Sequence, residues 1–180
     1  MTGLPQGVSR ANLVSGGATT LTGGYLDPAV TWRDMEWLVG HTKLPVAGKG
    51  VLHPQDAVLA AESGLGAVIV SNHGGRNLDT VAHPLDCVAG IAEKLDGRAQ
   101  ILLDGGIRRG TDVVKALARG ADAVMLGRPY VWGLAADGEN GVATVVQTLH
   151  HELINAMALC GAPSLAHLTP DLISTKEVMQ

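Results

Sequence analysis

Short aliphatic runs recur along the chain with helical patterns between them, and this alternation is its dominant signal. The runs are Leu44 to Val51, Ala67-Val68-Ile69-Val70, Ile101-Leu102-Leu103 and Ala123-Val124-Met125-Leu126. Each is aliphatic and bounded by glycine, proline or polar residues, as a strand should be. Between them, Pro54 to Ser63, Pro84 to Leu95 and Thr111 to Arg119 read as helices, the first with proline near N1, where no N–H is needed. A last helix carries Val142, Val145, Val146, Leu149 and Leu153 at spacings of three and four or close to them, an apolar stripe facing a sheet. Ahead of the first strand, Thr31 reads as an N-cap. Trp32, Met35, Leu38 and Val39 then recur at helical spacing, which predicts a short helix ending near His41.

The order is therefore four consecutive βα units. Strand-helix-strand order imposes parallel pairing through right-handed crossovers, and strands apolar throughout are expected to be buried on both faces. The fold class is α/β with parallel strands. A doubly wound sheet and a section of a (β/α)8 barrel both satisfy the periodicity. Residues 1–30 are rich in Gly, Thr and Ser without sustained periodicity and read as an arm or loop, which leaves 31–180 as the folded domain.

Composition narrows the partners. With 180 residues and 46% hydrophobic content, the chain can bury a substantial core. A net charge of −4 offers no broad attraction to nucleic acid or to an anionic membrane, so neither is expected as a partner. The sequence shows no signal core and no apolar run of bilayer length. Cys87 and Cys160 are the only cysteines and lie far apart, which suits reduced thiols. The expectation is a cytoplasmic protein with a small ligand.

Candidate chemistry gathers where the strands end. After the first comes Gly48-Lys49-Gly50, after the second Ser71-Asn72-His73-Gly74-Gly75-Arg76, after the third Asp104-Gly105-Gly106-Ile107-Arg108, and after the fourth Gly127-Arg128-Pro129. In parallel neighbours these ends converge, where either α/β architecture places its site. Paired glycines expose N–H groups and Arg108 and Arg128 offer planar forks, a combination suited to phosphate; the competing reading pairs those arginines with carboxylates such as Asp104 or Asp112. Histidine as a residue type can act as an acid or a base, and Arg76, three residues after His73, can hold a carboxylate beside it; the competing reading has His73 bond a loop carbonyl. Lys49 is either a solvated cation or a charge aimed at a cofactor that becomes anionic on reduction. The other six histidines read as structural or solvated. The adjacent pair His150-His151 points in different directions on a helix and is not a metal site.

Together, Ser71-Asn72-His73-Gly74-Gly75-Arg76-Asn77-Leu78-Asp79, Leu103 to Val113 and Gly127-Arg128-Pro129 resemble the FMN-dependent L-2-hydroxy-acid oxidases and dehydrogenases, the glycolate oxidase, lactate oxidase and mandelate dehydrogenase type. The resemblance runs from about Thr31 to Ser174. It implies a TIM (β/α)8 barrel of which this chain is the C-terminal half, about four βα units, with FMN as cofactor and a small 2-hydroxy acid as substrate. By that resemblance His73 is the catalytic base and Arg76 the carboxylate anchor. Lys49 sits near the flavin pyrimidine edge, Ser71 contacts the flavin and Asp104 binds the ribityl chain. Gly105, Gly106, Arg108, Gly127 and Arg128 hold the phosphate. The reaction implied takes an L-2-hydroxy acid to a 2-oxo acid.

Two departures follow from the same comparison. The family's first four units are absent from this sequence, and with them the tyrosines, second arginine and histidine-orienting aspartate that complete its site. A homo-oligomer or a complementary barrel half is therefore the expected partner, because half a barrel leaves apolar surface and strand edges uncovered. The alternative is a non-catalytic half-barrel that binds FMN or phosphate. Smaller departures are Gly48, where a bulkier residue is usual, and Asn77, where glutamine is common; either could alter cofactor fit.

Overall fold

The computed structural model of the chain describes residues 29–174. The arm expected over residues 1–30 lies almost wholly outside the described residues. The elements are α1 (Trp32–His41), β1 (Ala47–Val51), α2 (Pro54–Glu62), β2 (Ala67–Val70), α3 (Pro84–Leu95), β3 (Gln100–Asp104), α4 (Gly110–Ala118), β4 (Ala123–Met125) and α5 (Arg128–Leu159). The four strands form one parallel sheet in the order β1-β2-β3-β4. Each strand thus pairs with the next through a single helical crossover, and all four carboxyl ends lie along one edge.

The first strand starts three residues later than its aliphatic run suggested. Leu44 is 76% exposed, and Pro45 brings no N–H to a ladder. At the other end of β1 the register slips: Lys49 pairs with Ile69, but Val51 pairs with Val70. Residues 49 and 51 should share a face of a regular strand. The extra residue is Gly50, at φ +102°, and this bulge turns Val51 into the core while Lys49 stays on the opposite face.

The expectation of strands buried on both faces is corrected by the structure. Val68, Val70, Ile101 and Leu103 are buried on the side covered by helices, where they meet Ala57, Ala60, Val88, Ile91 and Leu95. Their alternates, Ala67, Ile69 and Leu102, are only half-buried, and Ala123 is exposed. These strands are apolar throughout, yet among the described residues only one layer of helices covers them. Helix α3 shows the matching pattern: Val88, Ile91 and Leu95 recur at three and four residues and are completely buried.

The last helix also differs from the expectation. It starts at Arg128, well before its aliphatic stripe, and is broken at Asp137 (φ −153°, ψ 36°) and Gly138 (φ 53°, ψ −134°). Eight residues of continuous helix would separate Gly133 and Gly141 by about 12 Å. Instead these two glycines touch backbone to backbone, so the chain doubles back at the break. The second limb packs on α4, where Gly110 lies against the backbone of Glu152 and Leu153. A small satellite core of Val114, Ala118, Ala156, Ala162 and Leu168 extends that contact.

Candidate active site

The carboxyl edge of the sheet opens into a cleft of about 310 Å³. Lys49, His73, Arg76 and Asp104 line one part of it, and Gly105, Gly106, Arg108, Gly127 and Arg128 another. Nine of the ten residues singled out from the sequence therefore share one cavity, contributed by all four strand ends. Ser71, the tenth, is 2% exposed and lies outside the lining, bonded to the residues above it.

A compact network fixes one side of the cleft. Lys49 Nζ donates to Ser71 Oγ at 2.9 Å and to Asp104 Oδ2 at 2.7 Å, and Ser71 Oγ donates to the same carboxylate oxygen at 2.7 Å. Lys49 is thus neither a free solvated cation nor aimed at empty space; its charge is held at the strand ends. Burial pushes the Asp104 carboxyl up, but hydrogen bonds from Lys49 and Ser71 and the charges of Lys49 and His73 more than offset it. The result lies below the usual carboxylate value. A carboxyl so lowered binds fewer protons folded than unfolded, so its contribution to stability is present above about pH 4 and is lost as pH falls through the lowered value. With Lys49 partly solvated, that contribution is on the order of 1 kcal/mol. The gap in urea midpoint between the native chain and Asp104→Asn should therefore close on going from about pH 5 to below pH 4; a gap independent of pH would contradict this.

Ser71 also accepts the backbone N–H of His73 at 3.1 Å, which links the network to the next loop. Here His73, Gly74 and Gly75 adopt φ of 56°, 68° and 72° in succession. Asn72 supports the turn, its Oδ1 accepting from Gly74 N at 3.0 Å. For a histidine the left-handed conformation costs about 1–2 kcal/mol. The expense accompanies a ring that is exposed at the cleft and makes no hydrogen bond among the described residues, rather than one that bonds a loop carbonyl.

The opposite rim carries positive charge without counter-charge. The carboxylates that could pair with the arginines are engaged elsewhere: Asp104 with Lys49, and Asp112 with the backbone N–H groups of Arg108 and Arg109 at 3.0 and 2.9 Å. Neither Arg108 nor Arg128 forms an ion pair among the described residues. Arg108 lies 5.8 Å over the Trp132 ring, a cation–π contact that leaves its N–H groups available. Gly105 and Gly106, at φ +108° and +80°, present backbone without side chains, and Gly127 precedes the first turn of α5. Glycines, two unpaired guanidinium groups and a helix start fit a phosphate monoester.

Sequence reasoning missed several lining residues. Met125, at the end of β4, and Tyr130 and Val131 border the cleft, the last two because α5 begins at Arg128. Proline at the second position of that helix was the available signal. Gly48 does not line the cleft: it pairs with Val68 on the helix-covered face, where a Cβ would meet Leu65 at 2.8 Å.

Comparison with known proteins bears on this geometry. The profile of the family described as FMN-dependent dehydrogenase matches residues 4–175. A 2-hydroxyacid oxidase of Dictyostelium discoideum is 46% identical over 89% of this chain and 41% of its own length. An L-lactate oxidase of Nostoc sp. is 48% identical over 90% of this chain and 48% of its own. A crystal structure of mandelate oxidase superposes with a TM-score of 0.75 at 43% identity, covering 77% of this chain and 42% of that one. The chain spans less than half the length of these relatives, and its four-stranded sheet corresponds to half of a TIM barrel.

Proposed function

Since the chain belongs to the FMN-dependent dehydrogenase family, we propose that it is the FMN- and substrate-binding half of an L-2-hydroxy-acid oxidase or dehydrogenase, working when a complementary barrel half or a further subunit completes the barrel. The observation that carries this reading is the single cleft shared by His73, Arg76, the Lys49–Asp104 pair and the arginine-glycine rim. FMN, when bound, supplies the acceptor for the two electrons lost as the hydroxy acid becomes a 2-oxo acid. Arg76 offers a planar fork for the substrate carboxylate, and His73 takes one of the two protons released. The Lys49 ammonium, fixed by Asp104 and Ser71, favours negative charge developing beside it. Asp104 faces the ribityl chain, and Gly105, Gly106, Arg108, Gly127 and Arg128 hold the phosphate.

A second reading, a non-catalytic half-barrel that binds FMN or phosphate, is favoured by the half-covered face of Ile69 and Leu102, which leaves the substrate side of the cleft open. One experiment separates the two. The chain is produced alone and together with the preceding half of the Nostoc relative, its visible spectrum is recorded with FMN, and lactate, glycolate or mandelate is added without oxygen. Bleaching in the completed pair supports the enzyme. Bound but unbleached flavin supports the second reading, and absence of flavin uptake in both preparations defeats the enzyme and the FMN-binding form of the second reading alike.

A further inference from the structure

Helices α2 and α3 begin with the same dipeptide, His53-Pro54 and His83-Pro84, yet the two imidazoles are used differently. His53 caps its helix, Nδ1 accepting the N–H of Gln55 at 3.2 Å. His83 occupies the same position before α3 and makes no side-chain cap, and its ring has no hydrogen bond among the described residues. It lies over Gly106 instead: a Cβ placed on that glycine would be 3.5 Å from Nε2 and 3.8 Å from Cε1. The histidine read from the sequence as structural or solvated thus stands at the phosphate rim.

A second opening of about 360 Å³ adjoins the first there, with His83 on one wall and Gly105, Gly106, Arg108 and Arg128 on the other. Among the described residues no carboxylate lines it. Asp86, in the first turn of α3, is ion-paired with Arg119 at 3.9 Å, and Asn72 Oδ1 is occupied by Gly74 N. The start of α3 adds a favourable field for an anion. We propose that His83 is a further phosphate ligand of this chain, its ring N–H donating to a monoester oxygen held between Gly106 and the two arginines.

This inference rests on the phosphate reading above, and its test keeps the two apart. The full 180-residue chain is titrated with FMN and with riboflavin, which shares the ring but lacks the phosphate, by quenching of flavin fluorescence. The native chain should prefer FMN. His83→Ala should reduce that preference about tenfold, the size of one charge-assisted hydrogen bond, with riboflavin affinity unchanged. His83→Gln, which keeps an N–H donor, should stay within about threefold of the native preference, whereas His83→Glu, of the same bulk, should abolish it. The Gln–Glu comparison reads the contact even where alanine loosens the loop. An unchanged preference in the alanine and glutamate variants overturns the role of His83 and leaves the phosphate site standing; a native chain that binds FMN and riboflavin alike overturns both.

Discussion

Replacing His73 with glutamine in the completed enzyme is expected to slow flavin reduction by a 2-hydroxy acid about 100- to 10,000-fold, the range associated with loss of a positioned general base. The flavin spectrum and FMN affinity should be unaltered. This separation is expected because the ring makes no hydrogen bond among the described residues; what ties His73 to the network is its backbone N–H on Ser71, which any residue supplies. Rapid mixing without oxygen measures the rate directly, and a variant that reduces at the native rate would remove His73 from the chemistry. A glycine at the same position gives an independent check on the backbone. His73 adopts φ 56°, so His73→Gly relieves a left-handed side chain and should hold or raise stability by up to about 1 kcal/mol, after the extra entropy of the unfolded glycine is deducted. A residue that strains the fold while its ring is free at a cleft fits a functional role better than a structural one.

A large effect on stability is expected where α4 meets α5. Gly110→Ala should destabilise the chain by about 3 kcal/mol or more, at the top of the range for overpacking. The added methyl would meet the backbone of Glu152 and Leu153, which cannot move aside as a flexible side chain can. The same site is tied by hydrogen bonding: Gly110 N donates to Glu152 Oε2 at 2.9 Å, and Arg109 reaches Glu152 at 3.3 Å. Any displacement that admits the methyl therefore also lengthens these contacts. Urea unfolding of Gly110→Ala beside Thr111→Ala, whose position is exposed, provides the comparison. Equal midpoints would mean that the α4–α5 contact yields more easily than its geometry indicates.

Among the described residues, periodicity placed the four strands and at least part of each of the five α-helices because each βα unit announces itself locally: an aliphatic run, a polar strand end, then an amphipathic stretch. The helix read around Pro84 to Leu95 is found at Pro84–Leu95, where proline marks its start and Val88, Ile91 and Leu95 mark its buried face. Features that depend on partners distant in sequence were not legible. The aliphatic character of Ile69 and Leu102 signals burial on both faces, but the layer that would cover the second face is not contributed by the described residues. Lys49 stayed ambiguous because its partners, Ser71 and Asp104, come from two other strand ends 22 and 55 residues away. The early start of α5 was obscured because Asp137 and Gly138 break its periodicity and the first limb carries no regular apolar stripe. His83 reads as structural or solvated because it has no polar cluster beside it in sequence, and only the fold brings it over Gly106.

The meeting of Gly133 with Gly141 reaches beyond α5 itself. Arg128, Tyr130 and Val131 ride on a limb only ten residues long, and that limb is braced by two main chains in direct contact rather than by interlocking side chains. Substitution at either glycine would force the two limbs apart and carry Arg128, Tyr130 and Val131 with them, so a loosened grip on the ligand would accompany any loss of stability there.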